Sequence, residues 1–232
     1  MNTRAIVALD VGRAAQASAL TARLGAACDF VKVGLELFTA EGPAIVRAMR
    51  AERREVFLDL KLHDIPATVT GAARAVARLH PDVLTVHAVG GPDVIRAAVD
   101  VAPDTMIAAV TLLTSLGSDD LERIGVAGPV SDAVRRLAVL AVDAGARGLV
   151  CSPREVADVR AEVGPDITLI TPGIRPPGAA VHDQARTATP EEALRAGADL
   201  LVIGRPITGA PDPGASAAAI AAPLRRFQPA QG

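Results

Sequence analysis

Short apolar runs alternate with longer stretches of helical period from one end of this chain to the other. The runs AIVALD (5–10), DFVKVG (29–34), EVFLDLKL (55–62) and VLTVHAV (83–89) predict four strands. TMIAAVTLL (105–113), RGLVCS (147–152), ITLITPGI (167–174) and LLVIGRP (200–206) predict four more. Between them, AAQASALTARLG (14–25), PAIVRAMRAERR (43–54), ATVTGAARAVARL (67–79), DVIRAAVDV (93–101), SDAVRRLAVLAVDAG (131–145), PREVADVRAEV (153–163) and TPEEALRAG (189–197) predict helices. Pro43, Pro66, Pro92, Pro153 and Pro190 stand where a first helical residue is expected, since the missing N–H costs nothing there. The strands are rich in β-branched residues and mostly do not alternate, the pattern of parallel strands covered on both faces. Eight such βα units predict an α/β fold, a (β/α)₈ TIM barrel, with residues 1–232 forming one domain. A doubly wound open sheet is the alternative, weakened because no glycine-rich nucleotide fingerprint follows AIVALD.

Composition narrows the chemistry. The 232 residues suit a barrel, which runs to roughly 200–250 residues as one unit. Half the residues are hydrophobic, yet there are four Phe and no Trp or Tyr, so stacking on nucleic-acid bases is not expected. A net charge of −2 also argues against a broad phosphate-backbone surface. Cys28 and Cys151 lack metal-type spacing and read as reduced, packed thiols. The start MNTRAIVALD has no signal-peptide apolar region, and no run has the roughly 18 apolar residues of a membrane span. A cytoplasmic protein without membrane or nucleic-acid partners is expected.

Of the 24 basic residues only Lys32 and Lys61 are lysines, and both sit inside apolar runs. Wherever a positive charge need only be solvated, this chain carries arginine. Lysine appears where a compact ammonium able to give up a proton would be useful. Polar residues also gather at the C-terminal ends of the strands: Asp10, Lys32, Asp59, Lys61, Thr111, Thr114, Arg175, Gly204 and Arg205. In a barrel these ends open onto the face where active sites lie. Asp59 and Lys61, two apart on a strand, share a face, and Lys32 on the neighbouring strand can reach the same layer. Charges so placed are tolerable only if opposite signs alternate. Asp64 fits such an array, but it also precedes Ile65-Pro66 at a helix start, where Asp is a favoured cap. At the other end, the Gly/Pro-rich stretch 170–190 carries Arg175, Gln184 and Arg186, and Gly204 and Arg205 follow the eighth strand. Loops seven and eight form the usual phosphate site of these barrels, and a long loop there can close over a ligand.

The segment DLKLHDIPATV (59–69) resembles the DxKxxDIPxT signature of the orotidine 5′-phosphate decarboxylase family. The likeness extends through VALD, KVGLELF, VHAVGG (86–91), LLTS (112–115), TPGIR (171–175), DQAR (183–186), TP (189–190) and VIGRPIT (202–208). It implies that Lys61 protonates C6 as carbon dioxide leaves, and that Lys32, Asp59 and Asp64 complete a charged tetrad. It implies a homodimer in which Asp64 and Thr68 reach into the partner's site. Asp10 and Lys32 would hold ribose hydroxyls, and Thr114 or Ser115 the pyrimidine. Gln184, Arg205 and the Gly204 N–H would hold the phosphate, supported by Arg175, with Ile65 and Pro172 also at the substrate. The resemblance implies a nucleotide monophosphate substrate in pyrimidine biosynthesis, and no metal or other cofactor.

Three other readings stand beside this one. A magnesium-dependent sugar-phosphate decarboxylase or synthase of the same suprafamily places a carboxylate where this chain has Lys32. A metal-dependent pentose-phosphate epimerase could draw on His63, His87 and several aspartates as ligands, though Lys61 among them would repel a cation. A phosphate-binding barrel without catalysis would show tight nucleotide binding and no turnover.

Overall fold

The computed structural model describes residues 4–176 and 187–224. Among them, eight parallel strands close into a barrel in chain order: β1 (Arg4–Ala8), β2 (Phe30–Gly34), β3 (Glu55–Leu62), β4 (Val83–His87), β5 (Met106–Val110), β6 (Gly148–Val150), β7 (Thr168–Thr171) and β8 (Leu200–Ile203). Strand β8 pairs back onto β1 with Ile6 opposite Val202, and that closure rules out the open doubly wound sheet. The outer wall comprises α1 (Ala14–Leu24), α2 (Leu35–Glu41), α3 (Pro43–Ala51), α4 (Pro66–Ala77), α5 (Pro92–Val99), α6 (Ser118–Arg123), α7 (Val130–Asp143), α8 (Val156–Val163), α9 (Pro190–Arg195), α10 (Arg205–Thr208) and α11 (Pro213–Leu224).

Strand alternation sorts the apolar residues into two cores. Ile6, Ala8, Phe30, Phe57, Val83, Ala108, Ile170, Leu200 and Val202 fill the barrel interior. The intervening positions, such as Val7, Val31, Leu58, Leu84 and Leu201, pack outward under the helices. A Cβ on Gly148 would stand 3.1 Å from the Ala108 Cβ, a tight contact that would make its neighbours give by a few tenths of an ångström.

The strands stop earlier than the apolar runs do. β4 ends at His87, β5 at Val110 and β8 at Ile203, because the last residues of each run leave the ladder for the barrel mouth. Pro43, Pro66, Pro92 and Pro190 all open helices, whereas α8 begins at Val156 and not at Pro153. There the Glu155 N–H donates to Ser152 O, and residues 153–155 form a turn instead of a first helical coil. Helix α11 carries no readable period because it is alanine-rich on every side; it packs against α1 and β1. Cys28 and Cys151 are free and buried. Burial pushes both thiols up, Cys151 to about 12, so neither is a ready nucleophile. No helix among the described residues is long and apolar enough to cross a membrane.

Candidate active site

Above the apolar interior, at the C-terminal mouth of the barrel, lies a cavity of about 460 Å³. Its floor is Ala8, Phe57, Val150 and Val202, the top of the interior core. On β2, β3 and β4 the next inward position is where the chain turns polar. Phe30 is followed on the same face of β2 by Lys32, Phe57 on β3 by Asp59, and Val83 on β4 by Thr85. A two-residue period therefore carries these three strands from packed core to polar site.

Four charges of alternating sign run across the cavity. Lys32 Nζ lies 3.0 Å from Asp10 Oδ1 and 3.7 Å from Asp59 Oδ2. Lys61 Nζ lies 2.9 Å from each carboxylate oxygen of Asp59. The Lys32 and Asp59 side chains are each only 12% exposed, so neither ion is affordable without the other. Asp10, at 61%, faces the opening. Lys61 reaches its place through an unusual backbone, with φ of +50°, a region that a residue with a Cβ enters at a cost of about 1–2 kcal/mol.

Thr114, Pro172, Arg175, Gly204 and Arg205 line the same cavity, Gly204 close beside Asp10. Arg175 is 8% exposed and donates through Nη1 to Ile174 O. Its own N–H donates to Ala188 O at 2.9 Å, joining the two described ends of the loop after β7. One cavity thus offers both a desolvated carboxylate–ammonium cluster and guanidinium groups. A larger groove of about 790 Å³ runs along the outer wall beside α5 and α7, but it shares no residue with this site; of its arginines, Arg96 and Arg135 are ion-paired and Arg136 donates to Ala127 O.

The family model described as orotidine 5′-phosphate decarboxylase / HUMPS matches residues 3–220. The chain belongs to this family. It is 66% identical over 221 residues to the orotidine 5′-phosphate decarboxylase of Thermobifida fusca, covering 95% of each chain. It is 58% identical to that of Frankia casuarinae, covering 94% of this chain and 86% of the relative. The crystal structure of orotidine 5′-phosphate decarboxylase from Lactobacillus acidophilus superimposes with a TM-score of 0.86 at 37% identity, covering 97% of this chain and 100% of the other.

Within this decarboxylase-family barrel, Asp10, Lys32, Asp59, Lys61, Thr114, Pro172, Arg175, Gly204 and Arg205 come together in one cavity. Asp64, Ile65 and Thr68 do not join them in the same chain; they stand exposed on the β3–α4 connection and first turn of α4. Asp64 is not the helix cap either. That position is Ile65, without a side-chain cap, and Asp64 Oδ1 accepts the N–H of Ile65 at 2.6 Å. The charge that completes the alternation within one chain is Asp10. Ser115 lies one residue beyond the cavity and lines an adjoining one with Arg154. Thr111 is buried and donates its hydroxyl to Val150 O, a structural role. Gln184 and Arg186 lie outside the described residues.

His63 and His87 stack at 5.4 Å between ring centroids. Burial, then the neighbouring His63 and Lys61, pushes His87 below its ordinary 6.5, so it stays neutral near pH 7. Among the described residues no three metal-binding side chains cluster. Two residues at the site escaped the sequence reading. Thr85 donates to Asp59 Oδ1 at 3.0 Å, and the inward period from Val83 marks it. Gly34 stands opposite Asp59 in the β2–β3 ladder, and a Cβ there would sit 2.7 Å from Lys32 Nζ. Its signal is the Lys-x-Gly spacing, which puts both on one face.

Proposed function

We propose that this protein converts orotidine 5′-phosphate to uridine 5′-phosphate and carbon dioxide without a metal. The observation that carries the reading is Lys61 Nζ held against both oxygens of a largely buried Asp59 in the cavity at the strand ends. Loss of carbon dioxide breaks the bond between C6 and its carboxylate and leaves the electron pair in the plane of the ring, where no π-system receives it. A fixed ammonium beside C6 stabilises that pair with little reorganisation, then delivers a proton to C6. Lysine then regains its proton from solvent. Asp59 sits beside the substrate carboxylate and disfavours the bound ground state; that repulsion ends when neutral carbon dioxide departs. Lys32 holds Asp59 in place and, with Asp10, takes the ribose hydroxyls. Arg205, Gly204 and Gln184 take the phosphate beside Arg175, and that remote binding energy is available to favour the reacting arrangement. Thr114, with Ser115 beyond it, meets the pyrimidine, flanked by Pro172.

The working unit is a homodimer. Asp64, Ile65 and Thr68 have no role within their own cavity, and Ile65 is 66% exposed. Leu35 after β2 and Val89 after β4, at 53% and 44%, add apolar surface at neighbouring strand ends. Such a surface suits a second copy, with Asp64, Ile65 and Thr68 completing its site. The protein acts in the cytoplasm, on the nucleotide pool of pyrimidine biosynthesis.

The test is loss of orotidine 5′-phosphate absorbance on adding purified protein in excess EDTA. Rapid formation of uridine 5′-phosphate is expected. No conversion, together with magnesium-dependent activity on a sugar phosphate, would assign the chain to the other branch of the family. The same assay checks Gly34. Gly34→Ala is expected to lower kcat/KM about 100-fold by displacing the Lys32 ammonium. Only the tip of a flexible side chain has to move, so the melting temperature is expected to hold. Unaltered kcat/KM would mean that Lys32 works equally well elsewhere.

A further inference from the structure

Strands β3 and β4 fall out of step at one place. Leu58 pairs with Leu84 and Leu62 with Val86, so Asp59, Leu60 and Lys61 stand opposite Thr85 alone. An irregularity of this kind turns side chains and leaves backbone groups of the longer strand without a ladder partner. Here the partner is a side chain. Thr85 is fully buried, and its Oγ1 accepts the Lys61 backbone N–H at 2.8 Å. That leaves its single proton for Asp59 Oδ1, 3.0 Å away, which is also one of the two oxygens against Lys61 Nζ. One hydroxyl therefore ties the backbone of the lysine to the carboxylate of the aspartate. It does so where Lys61 holds a φ of +50°, a conformation that persists only when its surroundings enforce it.

We propose that Thr85 is a positioning residue for decarboxylation: it braces the β3 irregularity so that the Lys61 ammonium and the Asp59 carboxylate meet the reacting carbon in fixed relation. Thr85 does not line the cavity and acts only through these two residues. The proposal rests on the decarboxylase reading above. A valine matches threonine in shape but offers neither the acceptor for Lys61 N–H nor the donor for Asp59, whereas serine offers both.

The test compares Thr85→Val and Thr85→Ser with the unaltered dimer in the orotidine 5′-phosphate assay. Thr85→Val is expected to lower kcat about 10- to 100-fold, the effect of losing a hydrogen bond to a charged group. Substrate KM and affinity for uridine 5′-phosphate are expected to change by less than about threefold, because the phosphate and ribose contacts are untouched. Thr85→Ser is expected to restore most of kcat. A crystal structure of the valine variant is expected to show Lys61 out of its positive φ or its Nζ away from Asp59. Wild-type kcat in Thr85→Val, or a serine variant as impaired as valine, would overturn the proposal. If the valine variant does not fold, Thr85→Cys keeps the volume with a weaker hydrogen-bonding group, and should lose kcat where serine keeps it. Failure of the unaltered protein to turn over substrate would strike the decarboxylase reading itself. The crystal structure would still decide whether Thr85 holds the geometry.

Discussion

Lys61→Ala is expected to bind uridine 5′-phosphate yet turn over orotidine 5′-phosphate at least about 10⁴-fold more slowly than the unaltered enzyme. Two contributions are lost together. Proton delivery by a positioned side chain is worth about 10²–10⁴-fold. A preorganised charge at the developing carbanion adds about 10²–10³-fold. Binding should survive because Asp10, Arg175 and Arg205 line other parts of the cavity and remain in place. Removing the ammonium also leaves Asp59, with its side chain 12% exposed, neutralised only by Lys32 at 3.7 Å. Any loss of stability should therefore be relieved in Lys61→Ala/Asp59→Ala. Steady-state kinetics and calorimetric titration with the product check both halves. Turnover within about tenfold of wild type would remove Lys61 from the role of donor.

Mixing two inactive variants is expected to regenerate activity. Asp64→Asn should itself lose about 100-fold or more if its carboxylate completes the partner's charged cluster. In a hybrid dimer of Lys61→Ala with Asp64→Asn, one site carries both lesions and the other neither. Random exchange of equal amounts makes half the dimers hybrid, each with one intact site, so activity should return to about one quarter of wild type. The rationale is geometric: Asp64 is exposed, spends one oxygen on the Ile65 N–H and joins no cluster among the described residues of its own chain. Mixtures that stay as inactive as their components would mean that Asp64 does not act across an interface.

Much of the site was legible along the chain. Two lysines among 22 arginines marked the charged cluster, and both lie in it. All eight strands were predicted, and their polar C-terminal residues converge on one mouth. The cap reading of Asp64 fails because Ile65 holds that position, whereas its place in a charged cluster completed by a second copy is the proposal above. Thr85 drew no reading, being one β-branched residue in an apolar run. Pro153 looked like a helix start, but a Ser152–Glu155 turn intervenes. Helix α11 gave no period because alanine fills all its sides.

Properties that repeat over two or four residues are local, so they were readable without a fold: which elements form, which strand face is inward, and where that face turns from apolar to charged. Relations between strands are not local. Closure of β8 on β1, the pairing of Gly34 with Asp59, and the bonds joining Thr85 to Lys61 and Asp59 link residues whose spacing in sequence carries no signal. Packing and ladder hydrogen bonds choose that register only once the barrel has closed. This is why the folded chain, and not its pattern, places Asp10 as the fourth charge and Thr85 beneath the pair.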